Sequence, residues 1–305
     1  MTGKPQTSLR LTRLAERPRE DTRTLLRRFF QRYPPLVIIA ALWLLFMIFV
    51  AVSAPLISPY EYTAIDLRAR LHAPAGMEGG DWKHVFGTDD LGRDVLSRLI
   101  FSIRLSLLVA FLGTVIGAIL GTSLGFLAAH YRGWVDDVVV AAIDFQAALP
   151  FFIIALALLA FLGNSLTLFI ILMGIYGWER YARLTRGLAL SAMTHGYAVA
   201  VNTLGATPIR VNLRHILPNI SSALIVNMTL NFPGTIILET SLSFLGIGIQ
   251  PPMTSLGNML GFGRDYLTTA WWIAVLLPGV TIFLATLAMS ILGDWVRDRL
   301  DPTLN

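Results

Sequence analysis

Polar residues inside the long apolar runs of this sequence are the first candidates for chemistry. Asp144 and Glu239 are ionisable, and Asn227 and Asn231 lie four residues apart, which places the two amides on one helix face. Ionisable groups inside a membrane are costly and often functional. The group predicts either a polar helix, interrupted at the Pro-Gly pair 233–234, that lines a solute path, or hydrogen bonding between packed helices. The residues alone leave both interpretations open.

Patterns typical of enzymes and metal sites give little support to catalysis. The sequence has no cysteine, no phosphate-binding G-x-x-x-x-G-K-[ST] and no H-E-x-x-H, and its five histidines are scattered. Residues 121–125 match the G-x-S-x-G nucleophile elbow, but they fall inside an apolar run and not at a strand-to-helix turn. We therefore predict no catalytic residue and no metal site, and we disfavour a membrane-embedded enzyme.

A repeat of glycines explains the same stretch better. The glycines recur at every fourth position and share one helix face, where the absence of side chains lets a second helix approach closely. We predict a helix-packing seam formed by Gly113, Gly117, Gly121 and Gly125.

A short basic segment, residues 197–219, lies between two long apolar runs. Gly205 can take the left-handed conformation that ends a helix, and Thr207-Pro208 is a favourable start for the next one. Three apolar residues then follow at helical spacing, with arginines on another face: Ile209, Leu213 and Ile216. The segment predicts two short amphipathic helices joined in an elbow, which dock against lipid headgroups or against another protein.

Membrane helices are the elements that must position these residues. The chain has 305 residues, of which 55% are hydrophobic and 14% charged, and its mean hydropathy is +0.65. Soluble domains carry about 25% charged residues, so this chain has too little polar surface to cover itself in water. The net charge of +5 is concentrated in alternate segments, which indicates membrane topology and disfavours nucleic acid binding.

Six apolar runs are long enough to cross a membrane core of about 30 Å. They are residues 35–57, 103–129, 138–162, 165–178 with its flanks, 220–246 and 272–293. We predict an all-α polytopic membrane protein with about six transmembrane helices. Only Gly163-Asn164-Ser165 separates the third run from the fourth, so one hairpin dipping into the membrane is the alternative there.

The distribution of positive charge predicts the orientation. With the N-terminus inside, 17 of the 24 Lys and Arg residues fall in inner segments and 6 in outer ones, which favours N-in and C-in. The predicted organisation is a cytoplasmic basic tail (1–34), a first transmembrane helix (35–57), an extracytoplasmic segment (58–102) and a transmembrane domain (103–305) with a cytoplasmic loop (179–219). The tail is expected to be disordered or to lie along anionic lipid.

Residues 197–219 resemble the cytoplasmic EAA loop of ATP-binding-cassette (ABC) importer permeases. That loop carries E-A-A, three variable residues, a glycine, about nine residues and I-x-L-P. Here Gly205 matches the glycine and 215–219 the ending, whereas Val199-Ala200-Val201 replaces E-A-A. Four further motifs resemble those of the C-type permeases of dipeptide, oligopeptide and nickel importers: 86–98 (FGTDDLGRDVLSR), 243–252 (SFLGIGIQPP), 257–260 (GNML) and 293–302 (GDWVRDRLDP). The resemblance covers about residues 30–305.

The resemblance implies the type I ABC importer permease fold in a bacterial inner membrane. Such a chain forms half of a translocation path with a homologous second permease, two ATPase subunits and an extracytoplasmic substrate-binding protein. ATP and magnesium would bind to the ATPases, so this chain is expected to hold no cofactor. The implied ATPase-coupling residues are Tyr197, Ala200, Leu204, Gly205, Ala206, Ile209, Arg210, Leu213 and Arg214. The glutamate missing at Val199 puts one polar contact with the ATPase in doubt.

Three questions stay open at the level of sequence. A self-sufficient secondary transporter or channel is the competing interpretation, although such proteins often show internal repeats and none is evident here. The cargo could be a dipeptide, an oligopeptide, nickel or another small solute. The 86–98 motif is compatible either with contact to the binding protein or gate, or with a simple turn and helix cap.

Overall fold

The computed structural model describes residues 34–270 and 276–300, without the side chains of residues 197–199, 202 and 208. The predicted basic tail lies outside the described residues except for its last residue. Within the described part of the chain the fold is all-α, as predicted, and no strand occurs. Two isolated bridges, Ala73 with Gly80 and Thr88 with Asp94, are the extent of its β pairing.

Eleven α-helices build the described residues. They are α1 (Pro35–Ile57), α2 (Val95–Tyr131), α3 (Gly133–Ala148), α4 (Phe151–Leu162), α5 (Leu166–Ile175), α6 (Trp178–Met193), α7 (Gly196–Thr203), α8 (Pro208–Val211), α9 (Leu217–Phe244), α10 (Leu256–Gly263) and α11 (Leu277–Leu300). A π-helical turn, Asn212–Ile216, joins α8 to α9.

Among the described residues, fewer helices than the six predicted are long and apolar enough to be membrane spans. Four described helical segments are long and apolar enough to cross a membrane: Pro35–Ile57, Val95–Tyr131, Ile209–Phe244 and Leu277–Leu300. A fifth is obtained if the bent pair α3 and α4 is taken as one span. The predicted spans that differ are therefore the third and the fourth.

A sharp bend divides the predicted third span. Helices α3 and α4 meet at 90°, and between them Leu149 has extended backbone and Pro150 precedes the first residue of α4. Proline lacks the N–H needed to continue a helix and disfavours helical backbone at the residue before it. The apolar pattern gave no sign of this bend because apolar residues predominate on both sides of it within the run 138–162.

The predicted fourth span is a pair of helices with different character. Helix α5 has ten residues, about 15 Å long at 1.5 Å per residue, too short to cross a bilayer alone. Gly177, in left-handed conformation at φ 80°, precedes α6. Helix α6 buries one face and exposes arginines on the other, so it belongs to the bundle rather than to the loop predicted for 179–219.

Helix α9 runs without a break from Leu217 to Phe244. The predicted interruption at residues 233–234 is therefore wrong. Pro233 is buried inside the helix, and membrane helices tolerate such a proline when neighbouring helices satisfy the freed backbone groups.

Helix α2 is the central element, 37 residues long, and it contacts α1, α3, α5, α6, α9 and α10. It begins eight residues before the predicted position 103, because Asp94 caps it by accepting a 2.7 Å hydrogen bond from the Ser97 N–H. Residues 58–94 and 245–255 lie at the end of the bundle where α2 begins and α9 finishes, here called the loop end. The opposite end, which carries residues 196–216, is called the elbow end.

Candidate functional site

Helix α6 brings the predicted path residues of α3 and α9 onto one surface. Arg183 Nη2 donates to Asp144 Oδ1 of α3 at 3.0 Å, and Arg180 Nη1 donates to Asn231 Oδ1 of α9 at 2.7 Å. Asn231 Nδ2 in turn donates to Asn227 Oδ1 at 2.5 Å. These five residues are called the polar face below.

The polar face is open. The side chains of Arg180, Arg183 and Asp144 are 53%, 60% and 67% exposed. An exposed ion pair within the bundle is costly against lipid, so such a surface is expected to face water or another protein. The arrangement can carry polar solutes along a wall that offers both guanidinium donors and carboxylate acceptors.

A second ion pair holds α6 against α3 nearer the elbow end. Arg186 Nε and Nη2 donate to the two carboxylate oxygens of Asp136 at 2.5 and 2.6 Å. This bidentate ion pair is less exposed than the pair of Arg183 with Asp144. Bidentate geometry adds both strength and directional specificity. It fixes the rotation of α6 that turns Arg180 and Arg183 towards the polar face.

Sequence reasoning missed the arginines of α6. They lie at intervals of three residues (180, 183 and 186), and the buried residues Tyr181, Ala182, Thr185 and Ala189 alternate with them at helical spacing. That periodicity is typical of an amphipathic helix, which the prediction of a cytoplasmic loop at 179–219 did not include. The fourth predicted path residue, Glu239, is not part of the polar face.

Glu239 is fully buried near the loop end. Its carboxylate accepts from Ser243 Oγ at 2.9 Å and Thr240 Oγ1 at 3.4 Å, and the hydroxyls of Ser106 and Ser255 also face it. Ser106 Oγ accepts the Leu256 N–H of α10 at 3.1 Å. We therefore assign Glu239 to the junction of α2, α9 and α10, where hydroxyl donors satisfy a buried carboxylate, and not to a path.

The glycines at 113, 117, 121 and 125 lie along the contact of α2 with α5 and α6. A Cβ atom would come within 2.6 Å of Met173 at Gly113, and within 2.6 Å of the Ala182 carbonyl oxygen at Gly125. Successive glycines along α2 contact residues that come successively later in the sequence, from Met173 to Ala182. Helix α2 therefore runs parallel to α5 and α6. Close approach of this kind requires residues without side chains.

The elbow has the two helices that the sequence predicts. Helix α7 ends at Thr203, Gly205 has the left-handed φ of 78°, and α8 starts at Pro208. Leu204 is 86% exposed beside Gly205, and Ala200, Arg210 and Arg214 are also exposed. Tyr197 lies in α7, and its side chain is outside the described residues.

The predicted stripe of Ile209, Leu213 and Ile216 does not stay on one face. Ile209 and Leu213 are exposed and line an open cavity of about 590 Å³ beside α2, whereas Ile216 is fully buried. The π-helical turn at 212–216 adds a residue to the helical turn, which rotates Ile216 away from the other two. The stripe prediction assumed regular α-helix and is wrong for Ile216.

Buried residues anchor the elbow to three helices. Val211, Ile216 and the partly buried Ala206 pack in one cluster with Phe126 of α2 and Ala189 of α6. The same cluster includes Ile220 and Leu224 of α9. A displacement of the elbow must therefore move α2, α6 and α9, because a packed core transmits movement and does not compress.

The loop end is stabilised by two acidic residues. Asp89 accepts from the N–H groups of Leu91 and Arg93 at 2.9 Å, from Arg93 Nε at 2.7 Å, and from the buried Arg98. Asp94 caps α2 and lies 3.0 Å from His84 Nδ1. Both carboxylates thus serve turn and cap positions of the 86–98 motif.

This architecture, a helical membrane bundle with a short two-helix elbow and no phosphate-binding loop, is that of a permease subunit of a binding-protein-dependent importer. The family model described as "Binding-protein-dependent transport system inner membrane component" matches residues 121–305, and "N-terminal TM domain of oligopeptide transport permease C" matches residues 22–74. The chain belongs to this family of bacterial inner-membrane permeases, as a C-type member of the peptide ABC importers.

Sequence similarity to known permeases extends along most of the chain. The chain is 40% identical over 263 residues to a di/tripeptide transport system permease protein DppC of Pseudomonas aeruginosa, covering 86% of each. It is 34% identical over 287 residues to the glutathione transport system permease protein GsiD of Pectobacterium atrosepticum, covering 93% of each. A Haemophilus influenzae dipeptide permease, DppC, is 34% identical over 267 residues, 88% of this chain and 90% of the relative. These relationships support an importer permease and not a self-sufficient carrier.

Proposed function

We propose that this chain forms half of the translocation path for small peptides and that the polar face is its wall. The elbow end would face the cytoplasm and the loop end the exterior, in line with the distribution of positive charge. A homologous second permease would close the other side of the polar face, as a heterodimer. Peptides are proposed as cargo because the relatives named for a substrate carry dipeptides, tripeptides or glutathione.

The observation that carries the proposal is the continuity of α6. One end of this helix packs against the elbow in the cluster with Ile216, and the other end holds Arg180 and Arg183 on the polar face. An ATPase that binds ATP with magnesium and closes beneath the elbow would therefore reposition the polar face through a rigid helix. This is a route for the coupling of ATP hydrolysis on partner subunits to cargo movement.

The proposed ATPase contact is the elbow tip. Among the elbow side chains that the structure describes, Leu204 is the most exposed apolar one, and an exposed apolar group next to a tight turn is suited to a partner's groove. Arg210 and Arg214 would add charge around it. The extracytoplasmic binding protein is proposed to dock at the loop end, on residues 58–94.

The test is uptake by proteoliposomes that contain both permeases and both ATPases, with cargo-loaded binding protein outside. Gly205→Asp should leave membrane insertion and assembly intact and abolish ATP-dependent uptake, since it introduces a charge at the elbow tip and strains a left-handed residue. Gly163→Asp is the matched control, because Gly163 is an exposed left-handed glycine (φ 81°) with nothing within 4 Å, and it lies outside both the elbow and the polar face. Normal uptake with Gly205→Asp, or uptake by this chain alone, would refute the proposed coupling.

A further inference from the structure

We propose that Arg180 binds the carboxylate of the cargo as it passes along the polar face. The proposal rests on the proposed function and adds to it the chemistry that the path recognises, a free carboxylate terminus.

Arg180 differs from the other arginines of α6 in its partner. Arg183 and Arg186 are each hydrogen-bonded to a carboxylate, Asp144 and Asp136 respectively. Arg180 donates instead to the neutral amide oxygen of Asn231. Within residues 34–270 and 276–300, its Nη2 group donates no hydrogen bond, although a guanidinium offers five donors.

Neighbouring groups hold the Arg180 guanidinium in position. Arg180 Nη1 donates a hydrogen bond to the side chain of Asn231. The 2.5 Å hydrogen bond that Asn231 donates to Asn227 orients this amide. The guanidinium carbon lies 5.8 Å from the centre of the Tyr176 ring, within the range of a cation–π contact. An arginine fixed on one edge and 53% exposed presents its remaining donors to the open side, which suits bidentate binding of a carboxylate.

Glu179 neutralises part of this charge without occupying the open donors. Its Oε1 is 3.6 Å from Arg180 Nε, longer than a hydrogen bond, and its side chain is largely buried. The site therefore holds an anion by directed donors more than by excess charge. Asp144, exposed beside Arg183, supplies an acceptor on the same face for the ammonium group of a zwitterionic peptide.

The experiment uses the natural absence of cysteine in this chain. A cysteine at Gly234 would have its Cβ 3.5 Å from Oη of Tyr176, whose ring makes the cation–π contact with Arg180. The assembled, nucleotide-free transporter carrying Gly234→Cys is treated with N-ethylmaleimide, and labelling of this subunit is followed by mass spectrometry. Ala-Ala and its C-terminal amide are added as competitors, without binding protein. Trp82→Cys, on the exposed loop end, is the reference thiol.

The free acid should slow labelling of Gly234→Cys at about tenfold lower concentration than the amide, because a hydrogen bond to a charged group accounts for roughly that factor. Arg180→Gln should abolish the difference and Arg180→Lys should restore part of it. The control Arg264→Gln, on an exposed arginine paired with Asp265 at the loop end, should leave the preference unchanged. Labelling of Trp82→Cys should respond to neither peptide.

Equal protection by acid and amide in the presence of Arg180 would overturn the proposal. If Arg180 pairs instead with a carboxylate of the second permease, Arg180→Gln will weaken assembly and the parent transporter will show no preference for the acid. The comparison of acid with amide therefore decides even if Arg180→Gln fails to assemble. The proposed function has a separate test: it would be refuted if the unmodified transporter showed no ATP-dependent uptake of peptide.

Discussion

A Cβ atom at Gly121 of α2 would lie 2.2 Å from the carbonyl oxygen of Trp178 at the start of α6. The two helices thus meet backbone against backbone just after the break at Gly177. The exposed face of α6 is polar, so contact between that face and lipid cannot stabilise the helix in the bundle. Its position depends on the glycine seam on one side and on the Arg186–Asp136 pair on the other.

We expect Gly121→Leu to displace α6 and destabilise the subunit. Overpacking a tight interface costs about 1–3 kcal/mol even for added methylenes in a core, and here the obstacle is backbone, which cannot rotate away. Thermal unfolding of the purified complex in detergent should show a lower Tm. Gly187→Leu adds the same side chain to α6 where nothing lies within 4 Å, and its Tm should change little. Equal Tm values for the two variants would contradict the seam.

The Arg186–Asp136 pair should behave as a coupled unit. Asp136→Asn or Arg186→Gln leaves a partly buried charge without its partner, so we expect each to destabilise the complex by about 1–3 kcal/mol. The double variant should be less destabilised than the sum of the single variants, which is the signature of a direct interaction. Additive losses in Tm-derived free energies would show that the two residues act independently.

The sequence predicted the elbow and the membrane class because both have local causes. A left-handed glycine followed by Thr-Pro specifies a turn between helices, and Gly205 and Pro208 take those positions. The long apolar run of residues 35–57 became α1 with the same bounds. Likewise, Asn227 and Asn231 share a helix face because their spacing demands it.

The rest depended on tertiary contacts that hydropathy does not encode. Composition averages over a window, so the apolar run 138–162 concealed a 90° bend whose only sign was Pro150. Conversely, the arginines of α6 lower its mean hydropathy, so the sequence predicted a cytoplasmic loop where the structure has a helix of the bundle. Glu239 and Asp144 looked alike in sequence, yet one is enclosed by hydroxyls and the other is open, a difference set by neighbours distant in the chain.

Glu239 should be a structural residue of the loop end. Glu239→Ala removes the acceptor for Ser243 and leaves buried hydroxyls unpaired, so we expect a loss of about 2–4 kcal/mol from unsatisfied groups and the cavity together. Glu239→Gln keeps an acceptor and most of the volume, and it should cost less. Hydrogen exchange of residues 245–263 would report the loosening, and unchanged exchange with Glu239→Ala would refute this role.

Buried and exposed residues of the elbow should separate stability from coupling. Leu204 is exposed and Ile216 fully buried. Leu204→Ala should leave the Tm unchanged but reduce the stimulation of ATPase activity by cargo-loaded binding protein, because the contact proposed for Leu204 is with the ATPase subunit and not within this chain. Ile216→Ala should lower the Tm, with a cost of about 2–5 kcal/mol typical of a cavity in a core.

The two readouts must be taken on the same preparations. Basal ATPase activity without binding protein measures whether the ATPases are intact, so the stimulated-to-basal ratio isolates transmission through the elbow. If Leu204→Ala lowered the Tm as much as Ile216→Ala, Leu204 would be part of the subunit core and not of a docking surface. If it altered neither Tm nor ratio, the elbow tip would have no part in coupling, and the transmission through α6 would need a different point of contact with the ATPase.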